Sequence, residues 1–193
     1  QKVDPVALRR YVGQGGRVMI ERAFEAQQKL LSPEQLDWLL GLFIEHYSAN
    51  MPGHSALYEG VAQAMDELAN AGYLLAICTN KFEGLAVSLL GHLGETSRFA
   101  AITGGDTFAF RKPDPRHLIE TIRLAGGDVD RAVMVGDSHT DINTAKAAGI
   151  PVIAVDFGYS DMPVATYDPS RVISHYRELS VEMAGNLIAA VNA

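Results

Sequence analysis

Hydrophobic and polar positions divide the chain into two parts with different periodicity. Over residues 1–50 apolar residues recur at helical spacing, and no strand-like run interrupts them. A Pro-Gly pair within residues 51–54 marks a turn. After it, helical stretches alternate with short runs that are apolar at nearly every position. This change of pattern predicts a small all-helical unit at 1–54 and an α/β unit at 55–193.

The helical unit is predicted to contain three helices. The first follows an Asp-Pro pair at 4–5, which combines a capping residue with a favourable first-turn residue, and GQGG at 13–16 ends it. The second covers residues 17–31. The third begins after Ser32, where Ser-Pro-Glu-Gln has the capping-box pattern. Trp38 lies on this amphipathic third helix and is expected in the core.

The apolar runs of the second unit predict a parallel sheet. Strands that are buried on both faces are apolar throughout, and the intervening helices cover both faces. The edge strand that closes the pattern is expected at residues 171–173. The four longer runs lie at residues 73–80, 99–106, 131–137 and 151–158.

Polar residues at the strand ends are the candidates for a site, because open α/β sheets bind ligands at the carboxyl ends of their strands. The Thr79 hydroxyl and the amides of Asn80 and Lys81 can form a small anion-binding rim at a helix start. Lys112, before a proline, can hold a phosphate or a neighbouring carboxylate. Taken singly, a Thr-Asn pair is an ordinary turn, and a lysine before proline is an exposed loop residue.

Two acids follow the third run, with Asp137 at the strand tip and Asp141 in the first turn of the next helix. Their spacing allows both carboxylates to point into one space, where like charges raise each other's pKa or recruit a cation. Oxygen ligands with open water positions suit Mg²⁺. The alternative is that Asp137 caps the helix and Asp141 is a solvated first-turn acid.

Composition narrows the classes of function. The 193 residues suit one domain, or one domain with a small second one, and the net charge of −7 argues against nucleic acid or an anionic membrane as the main partner. No apolar run is long enough to span a bilayer. Cys78 is the only cysteine, so a reducing compartment such as the cytoplasm is expected. The six histidines lack metal-ligand spacing and are expected at the surface or the rim.

Three segments resemble the second, third and fourth motifs of the haloacid dehalogenase-like hydrolase superfamily. They are CTNK at 78–81, GGDTFAFRKPDP at 104–115 and VGDSHTDINTAKAAG at 135–149. The resemblance covers residues 58–158. Within it, the GGDT, KPDP and TNK motifs are similar to those of the phosphoglycolate phosphatase branch. It implies an α/β fold, with a Rossmann-like parallel sheet and helices on both faces, and makes residues 1–54 a small all-helical cap.

Members of this superfamily transfer phosphoryl groups through an aspartyl-phosphate, while Mg²⁺ and a lysine neutralise the phosphoryl oxygens. The resemblance implies that Thr79, together with Asn80, contacts the phosphoryl group of a small phosphorylated metabolite. Lys112 would stabilise the charge on that group and on the nucleophile. Asp137 would ligate Mg²⁺, and Asp141 would assist directly, through water, or by holding Lys112.

The superfamily's first motif, DxDGT, does not occur in residues 1–193. Its first aspartate is the nucleophile and its second the general acid/base, and neither DTFAF at 106–110 nor DFGYSD at 156–161 fits it. The strand that carries it is central in the family's sheet, so its loss would split the core and leave unpaired edges. A segment of about one strand with its turn is therefore expected to be missing before Gln1, with the nucleophile in it.

The cap is expected to supply substrate specificity. Arg9, Arg10 and Arg17 flank the GQGG turn, and each can meet a substrate carboxylate or remain a solvated helix charge. The preferred substrate contacts are Arg17 and the turn itself, Gly15 included, together with Lys81 at the rim.

The expected function is Mg²⁺-dependent hydrolysis of a small phosphomonoester such as 2-phosphoglycolate. A sugar-phosphate mutase such as a phosphoglucomutase shares the chemistry and stays an alternative. A 2-haloacid dehalogenase is a less favoured alternative, because displacing halide needs no metal, whereas the GDSxxD pattern offers two acids to bind a metal. A non-catalytic binding module is the alternative of another class, if the nucleophile is truly absent.

Overall fold

The structure is a computed structural model that describes residues 11–192. Helix α1 spans Gly16–Glu25 and α2 spans Pro33–Ala49, and the two pack against each other. A short 3-10 turn at Val12–Gln14 precedes α1, where the sequence predicted a break. The first predicted helix lies outside the described residues, and so do Arg9 and Arg10.

Helix α1 ends six residues before the predicted end at residue 31, so that boundary was wrong. The backbone of Gln28 takes a left-handed conformation, with a φ of 58°. The amide of Lys29 donates to the carbonyl of Phe24 at 3.1 Å, and the amide of Gln28 donates to that of Glu25 at 2.8 Å. These two bonds form the helix-ending pattern usually associated with glycine, which is why the sequence did not signal it.

The predicted start of α2 is confirmed, whereas the predicted burial of its tryptophan is wrong. The amide of Gln35 donates to the Ser32 hydroxyl at 3.3 Å, and the Ser32 amide donates back to the Gln35 side chain at 2.9 Å. The buried stripe of this helix consists of Leu36 and Leu40. Trp38 lies two positions along, on the opposite face, and is 65% exposed.

Beyond residue 54 the described chain alternates between helices and strands. The helices are α3 Val61–Asn70, α4 Glu83–Leu93, α5 Pro115–Leu124, α6 His139–Ala147 and α7 Val181–Val191. The strands are β1 Ala76–Cys78, β2 Ala101–Thr103, β3 Met134–Gly136, β4 Val152–Val155 and β5 Arg171–Ile173. Each predicted apolar run contains one of these strands, and the predicted short edge strand is β5. No helix within residues 11–192 has the length and apolar character that crossing a bilayer requires.

The parallel strands of residues 11–192 form two sheets and not one. Strand β1 pairs with β2, with Ile77 opposite Ile102, while β4 lies between β3 and β5, with Ile153 opposite Val135 and Arg171. The two sheets still share a core, because Cys78 of β1 packs against the cluster formed by β3, β4, α5 and α6.

Strand β4 shows how the helices cover both faces of the larger sheet. Val152 and Ala154 belong to the core cluster that includes α5 and α6, and Ile153 and Val155 belong to the cluster that includes α3 and α7. All four side chains are buried. Successive strand residues face opposite sides, so burial of both sets confirms helices on both faces.

Replacing Ile153 by alanine is expected to destabilise the protein by about 2–5 kcal/mol, because it opens a cavity in a fully buried layer. Urea denaturation measures the change as a lower midpoint. Leu124→Ala on the exposed face of α5 is the control and should stay within about 0.5 kcal/mol of the parent protein. Equal effects of both changes would contradict the assignment of β4 as the two-sided core strand.

Candidate functional site

The buried ammonium of Lys112 joins the ends of the two sheets. Its Nζ donates to the carbonyl oxygen of Cys78, the last residue of β1, at 2.6 Å. It also donates to Oδ1 of Asp141 at 2.6 Å, and Asp141 lies in the first turn of α6, directly after β3. Lys112 is 8% exposed and Asp141 is 6% exposed. The loop lysine is therefore part of a closed ionic contact and not an exposed loop residue.

This contact fixes the charge of both partners. Burial alone would lower the pKa of Lys112, but the carboxylate of Asp141 outweighs it and the pKa is raised. Burial would likewise raise the pKa of Asp141, but the charge of Lys112 and the hydrogen bonds from Lys112 and Ser138 lower it. The pair is thus a lysine ammonium and a carboxylate across the ordinary pH range.

Asp141 is also built into the start of α6. Its Oδ2 accepts from the Ser138 hydroxyl at 2.7 Å and from the backbone amides of Ser138 and Asp137 at 3.1 and 3.2 Å. Ser138 is the residue that caps the helix. The alternative interpretation of the acid pair is therefore wrong, because Asp137 is not the cap and Asp141 is not solvated.

Asp137 lies beside this pair in a different environment. Its Oδ2 accepts from the backbone amide of Tyr159 at 2.9 Å. Burial raises the pKa of Asp137, and the nearby charge of Asp141 raises it further. Two glycines allow the close packing, since a Cβ on Gly158 would overlap Asp137 and a Cβ on Gly136 would overlap Asp141. The sequence analysis did not single out either glycine as part of the site.

The loop after β1 brings a hydroxyl and an amide to the same rim. The Thr79 amide continues the strand by donating to Thr103 at 3.0 Å, and the Thr79 hydroxyl accepts from the Lys81 amide at 3.1 Å. The side-chain nitrogen of Asn80 donates to the carbonyl of Lys112 at 3.0 Å. Lys112 therefore contacts Cys78 and Asn80, the two residues on either side of Thr79.

The GQGG turn packs directly on this rim. The side-chain nitrogen of Asn80 also donates to the Gly13 carbonyl, at 3.2 Å. A Cβ on Gly13 would lie 3.2 Å from the Ser138 hydroxyl, and one on Gly15 would lie 3.2 Å from the Asn80 carbonyl. Gly15 has a φ of 93°, which favours glycine. The turn thus bridges the loops after β1 and β3, where a substrate contact is predicted.

The two cations predicted to contact substrate have partners on α2. Arg17 forms an ion pair with Asp37, so its side chain is bound within the helical unit. The Nζ of Lys81 donates to the Tyr47 hydroxyl at 2.8 Å and lies 4.2 Å from the centre of that ring. Tyr47 was not singled out from the sequence, and its contact with Lys81 links α2 to the rim.

One histidine was misplaced by the sequence analysis. His117 was expected at the surface or the rim, but it is fully buried, with 0% exposure, at the start of α5. Its Nδ1 accepts from the Lys112 backbone amide at 3.3 Å. The signal in the sequence was its spacing. His117 follows Lys112 by five residues, which places it in the first turn of the helix after the lysine loop.

The acid pair fits a partial Mg²⁺ site. Two adjacent carboxylates, one with a raised pKa, are the arrangement that a cation relieves. Within residues 11–192, no three His, Cys, Asp or Glu side chains form a complete metal cluster. Mg²⁺ nevertheless suits such a site, because it keeps several waters and is commonly bound by one or two carboxylates and substrate phosphate. Asp137 is the better candidate ligand of the two, because both oxygens of Asp141 already accept hydrogen bonds.

Comparison with known proteins identifies relatives of the whole chain. The family profile described as haloacid dehalogenase-like hydrolase matches residues 1–155. A phosphoglycolate phosphatase of Mesorhizobium japonicum is 62% identical over 188 residues, which cover 97% of this chain and 83% of that protein. A phosphoglycolate phosphatase of Agrobacterium fabrum is 51% identical over 178 residues, covering 92% of this chain and 76% of that protein.

A solved structure shares the fold. The crystal structure of a protein described as a predicted phosphoglycolate phosphatase from Haemophilus somnus 129PT aligns with a TM-score of 0.84 at 25% identity. The alignment covers 92% of this chain and 81% of that one. The α/β architecture with parallel strands is therefore shared along nearly the whole described chain.

Gly158→Ala is expected to destabilise the protein by about 1–3 kcal/mol, because the new methyl group would overpack against the Asp137 carboxylate. Thermal denaturation monitored by circular dichroism measures this loss. Gly84→Ala in α4 is the matched control, since a Cβ there meets open space and alanine favours the helix. Retention of full stability by the Gly158 variant would show that Asp137 does not occupy the position described.

Proposed function

Because the chain belongs to the haloacid dehalogenase-like hydrolase family, we propose that it is a Mg²⁺-dependent phosphatase acting on a small phosphomonoester that resembles 2-phosphoglycolate. The chain is a phosphoric monoester hydrolase of the phosphoglycolate phosphatase branch. The observation that carries the proposal is the buried Lys112 ammonium, which binds both the Asp141 carboxylate and the carbonyl of Cys78. Cys78 directly precedes Thr79, and the Asp137 amide donates to the same Asp141 carboxylate. The names of the relatives support the choice of substrate.

In this proposal the rim binds the phosphoryl group through two kinds of donor. The Thr79 hydroxyl and the Asn80 amide hydrogen-bond its oxygens, while the Lys81 amide holds the Thr79 hydroxyl in place. A lysine ammonium has three protons, and two of those on Lys112 are donated to Cys78 and Asp141. The third proton has no acceptor within residues 11–192, and in this proposal it serves a phosphoryl oxygen or the attacking carboxylate. Lys112 then neutralises charge from a fixed position, without reorganising during the reaction.

The two aspartates of the acid pair have different roles in this proposal. The geometry favours Asp137 as the carboxylate that faces Mg²⁺. Of the roles that the resemblance leaves open for Asp141, it favours holding Lys112, because the two are already paired at 2.6 Å. When bound, Mg²⁺ would neutralise phosphoryl charge and help to orient the ester. The chain's own residues hold the ammonium, supply the carboxylates and exclude bulk water from the buried lysine.

The proposal assigns nucleophilic attack to an aspartate outside residues 1–193, with an aspartyl-phosphate as the intermediate. The position of Lys112 supports this assignment. Its ammonium lies between the end of β1 and the start of α6, the helix that follows β3, and within residues 11–192 β1 and β3 do not pair with each other. Activity is therefore tested on the protein expressed from its complete gene, so that every segment is present.

The first test measures phosphate release from a panel of phosphorylated metabolites in the presence of Mg²⁺. The expected result is a kcat/KM for 2-phosphoglycolate at least about tenfold above that for an aryl phosphate, a difference of about 1.4 kcal/mol in transition-state binding. Interconversion of sugar phosphates without net phosphate release would instead favour the mutase. Halide release from a 2-haloacid without Mg²⁺ would favour the dehalogenase.

Asp137→Asn is expected to lower Mg²⁺-stimulated hydrolysis of an aryl phosphate by about 100-fold or more, since it removes a metal-facing charge. The variant keeps an oxygen that can accept from Tyr159. Glu182→Gln, an exposed first-turn acid on α7, is the control and should retain activity. Full Mg²⁺-stimulated activity in the Asp137 variant would refute the metal assignment.

A second readout for this variant is its stability without metal. The folded-state pKa of Asp137 is raised, so the metal-free protein loses stability as pH rises through the interval between the unfolded and folded pKa values. Asp137→Asn lacks this loss. At neutral pH in EDTA it should therefore unfold at a higher temperature than the parent, and Mg²⁺ should no longer stabilise it. A lower melting temperature in EDTA would contradict the stated electrostatics.

Arg17→Gln tests the cap contact. If Arg17 leaves Asp37 to bind the substrate carboxylate, kcat/KM for 2-phosphoglycolate should fall by about tenfold or more, as expected for a lost charged hydrogen bond, while aryl phosphate hydrolysis changes little. Arg22→Gln is the matched control, because Arg22 is another arginine of α1 in an ion pair, here with Glu25. An unchanged substrate profile would remove Arg17 from the site.

A further inference from the structure

The main-chain amide of Lys112 donates a hydrogen bond to the buried imidazole of His117. We infer that His117 is a positioning residue, whose Nδ1 holds the Lys112 backbone so that the ammonium reaches the acid pair and the phosphoryl group. The inference rests on the proposed role of Lys112 in phosphoryl transfer. Neither the motifs nor the similarity to known proteins assigns a role to this histidine.

The hydrogen-bond network determines which ring nitrogen carries the proton. Nδ1 accepts from the Lys112 amide at 3.3 Å, so in the neutral ring the proton lies on Nε2. Nε2 then donates to the Thr103 hydroxyl, 3.2 Å away. The Thr103 and Thr121 hydroxyls are 2.6 Å apart, and Thr121 donates to the His117 carbonyl at 2.6 Å. The single Thr103 proton can go to the Thr121 hydroxyl or to the Ile77 carbonyl, 3.2 Å away, so both imidazole nitrogens and both hydroxyls have a partner.

Neutrality of the ring is part of the arrangement. Burial lowers the pKa of His117 to about 4, and the charge of Lys112 acts in the same direction. At neutral pH the Nδ1 lone pair therefore stays free to accept. A protonated ring would present an N–H group to the amide N–H of Lys112, and the contact would be lost.

The backbone contact matters because the rest of the lysine is already fixed. The Lys112 carbonyl accepts from Asn80 at 3.0 Å, and its Nζ donates to Cys78 and Asp141. With the amide held by His117, both main-chain polar groups and the side-chain terminus have partners. A charged group displaced by about 1 Å can lower a rate by about 100-fold. The histidine thus defines the point from which the flexible side chain extends.

The ring also fills space, which a test has to separate from positioning. Its edge packs against Phe108, with ring centres 5.7 Å apart. Removing the whole side chain would leave a cavity and destabilise the protein whether or not the histidine positions Lys112. A suitable experiment therefore compares two amides of different length, each of which keeps one side of the imidazole.

His117→Asn and His117→Gln form this matched pair. The Asn oxygen reaches the position of Nδ1 and can accept from Lys112, whereas the longer Gln amide reaches the position of Nε2 and its Thr103 partner. In the protein expressed from its complete gene, His117→Asn is expected to keep kcat for aryl phosphate within about threefold of the parent. His117→Gln should lower kcat by about 10–100-fold with KM within about threefold, since Lys112 acts on transition-state charge.

Both variants are expected to melt at lower temperatures, so kinetics are measured where each is fully folded by circular dichroism. Loss of kcat in proportion to lost stability, or a more active Gln than Asn variant, would overturn the assignment. If His117→Gln does not fold, His117→Leu replaces it. Leucine fills much of the same space but has no acceptor for the Lys112 amide, so kcat should fall by about 10–100-fold, and a kcat within about threefold of the parent would overturn the inference.

Lys112→Met distinguishes this inference from the proposed function. An active parent, an inactive Lys112→Met variant and a fully active His117→Gln variant would reject only the positioning role. A Lys112→Met variant that retains parental kcat would reject both the proposed function of Lys112 and the inference that depends on it.

Discussion

The contact between the Lys112 ammonium and the Asp141 carboxylate is the constraint on which the rest of the site depends. Removing either charge from water costs several kcal/mol, and the attraction between them offsets this only when the geometry is good and the other polar atoms have partners. Both conditions are met, since Cys78 accepts from the lysine and the start of α6 donates to the carboxylate. The pair adds position more than stability, and it connects the end of β1 to the helix that follows β3.

This pairing explains why two neighbouring aspartates differ. Asp141 has a lowered pKa because its oxygens face Lys112 and the donors of the helix start. Among the described residues Asp137 accepts one backbone hydrogen bond, from Tyr159, and burial together with the negative charge of Asp141 raises its pKa. Environments that move two pKa values apart assign different roles to chemically identical groups. A cation beside Asp137 would relieve the unfavourable half of the arrangement.

Residue patterns predicted the strands and most of the helices, because these follow from local rules. Apolar runs mark β1 to β4, and parallel strands deliver their following loops to one edge. The patterns failed where the outcome depends on tertiary packing. His117 is polar by composition, yet it is buried because α5 covers β1 and β2 and Thr103 and Lys112 satisfy its nitrogens. Trp38 is apolar, yet it lies opposite the stripe that α2 buries.

The GQGG turn is held to the rim by weaker contacts than those that hold Lys112. One side-chain nitrogen donates to the Gly13 carbonyl in the turn and to the Lys112 carbonyl at the rim. Each is a neutral hydrogen bond with a net value of about 1 kcal/mol, whereas breaking a buried ion pair costs about 3–5 kcal/mol. A substrate that displaces the turn therefore breaks a weak bond and leaves the lysine held by Asp141, Cys78 and His117. In the proposed function, the turn can then adjust to different esters while Lys112 and Asp141 stay in place.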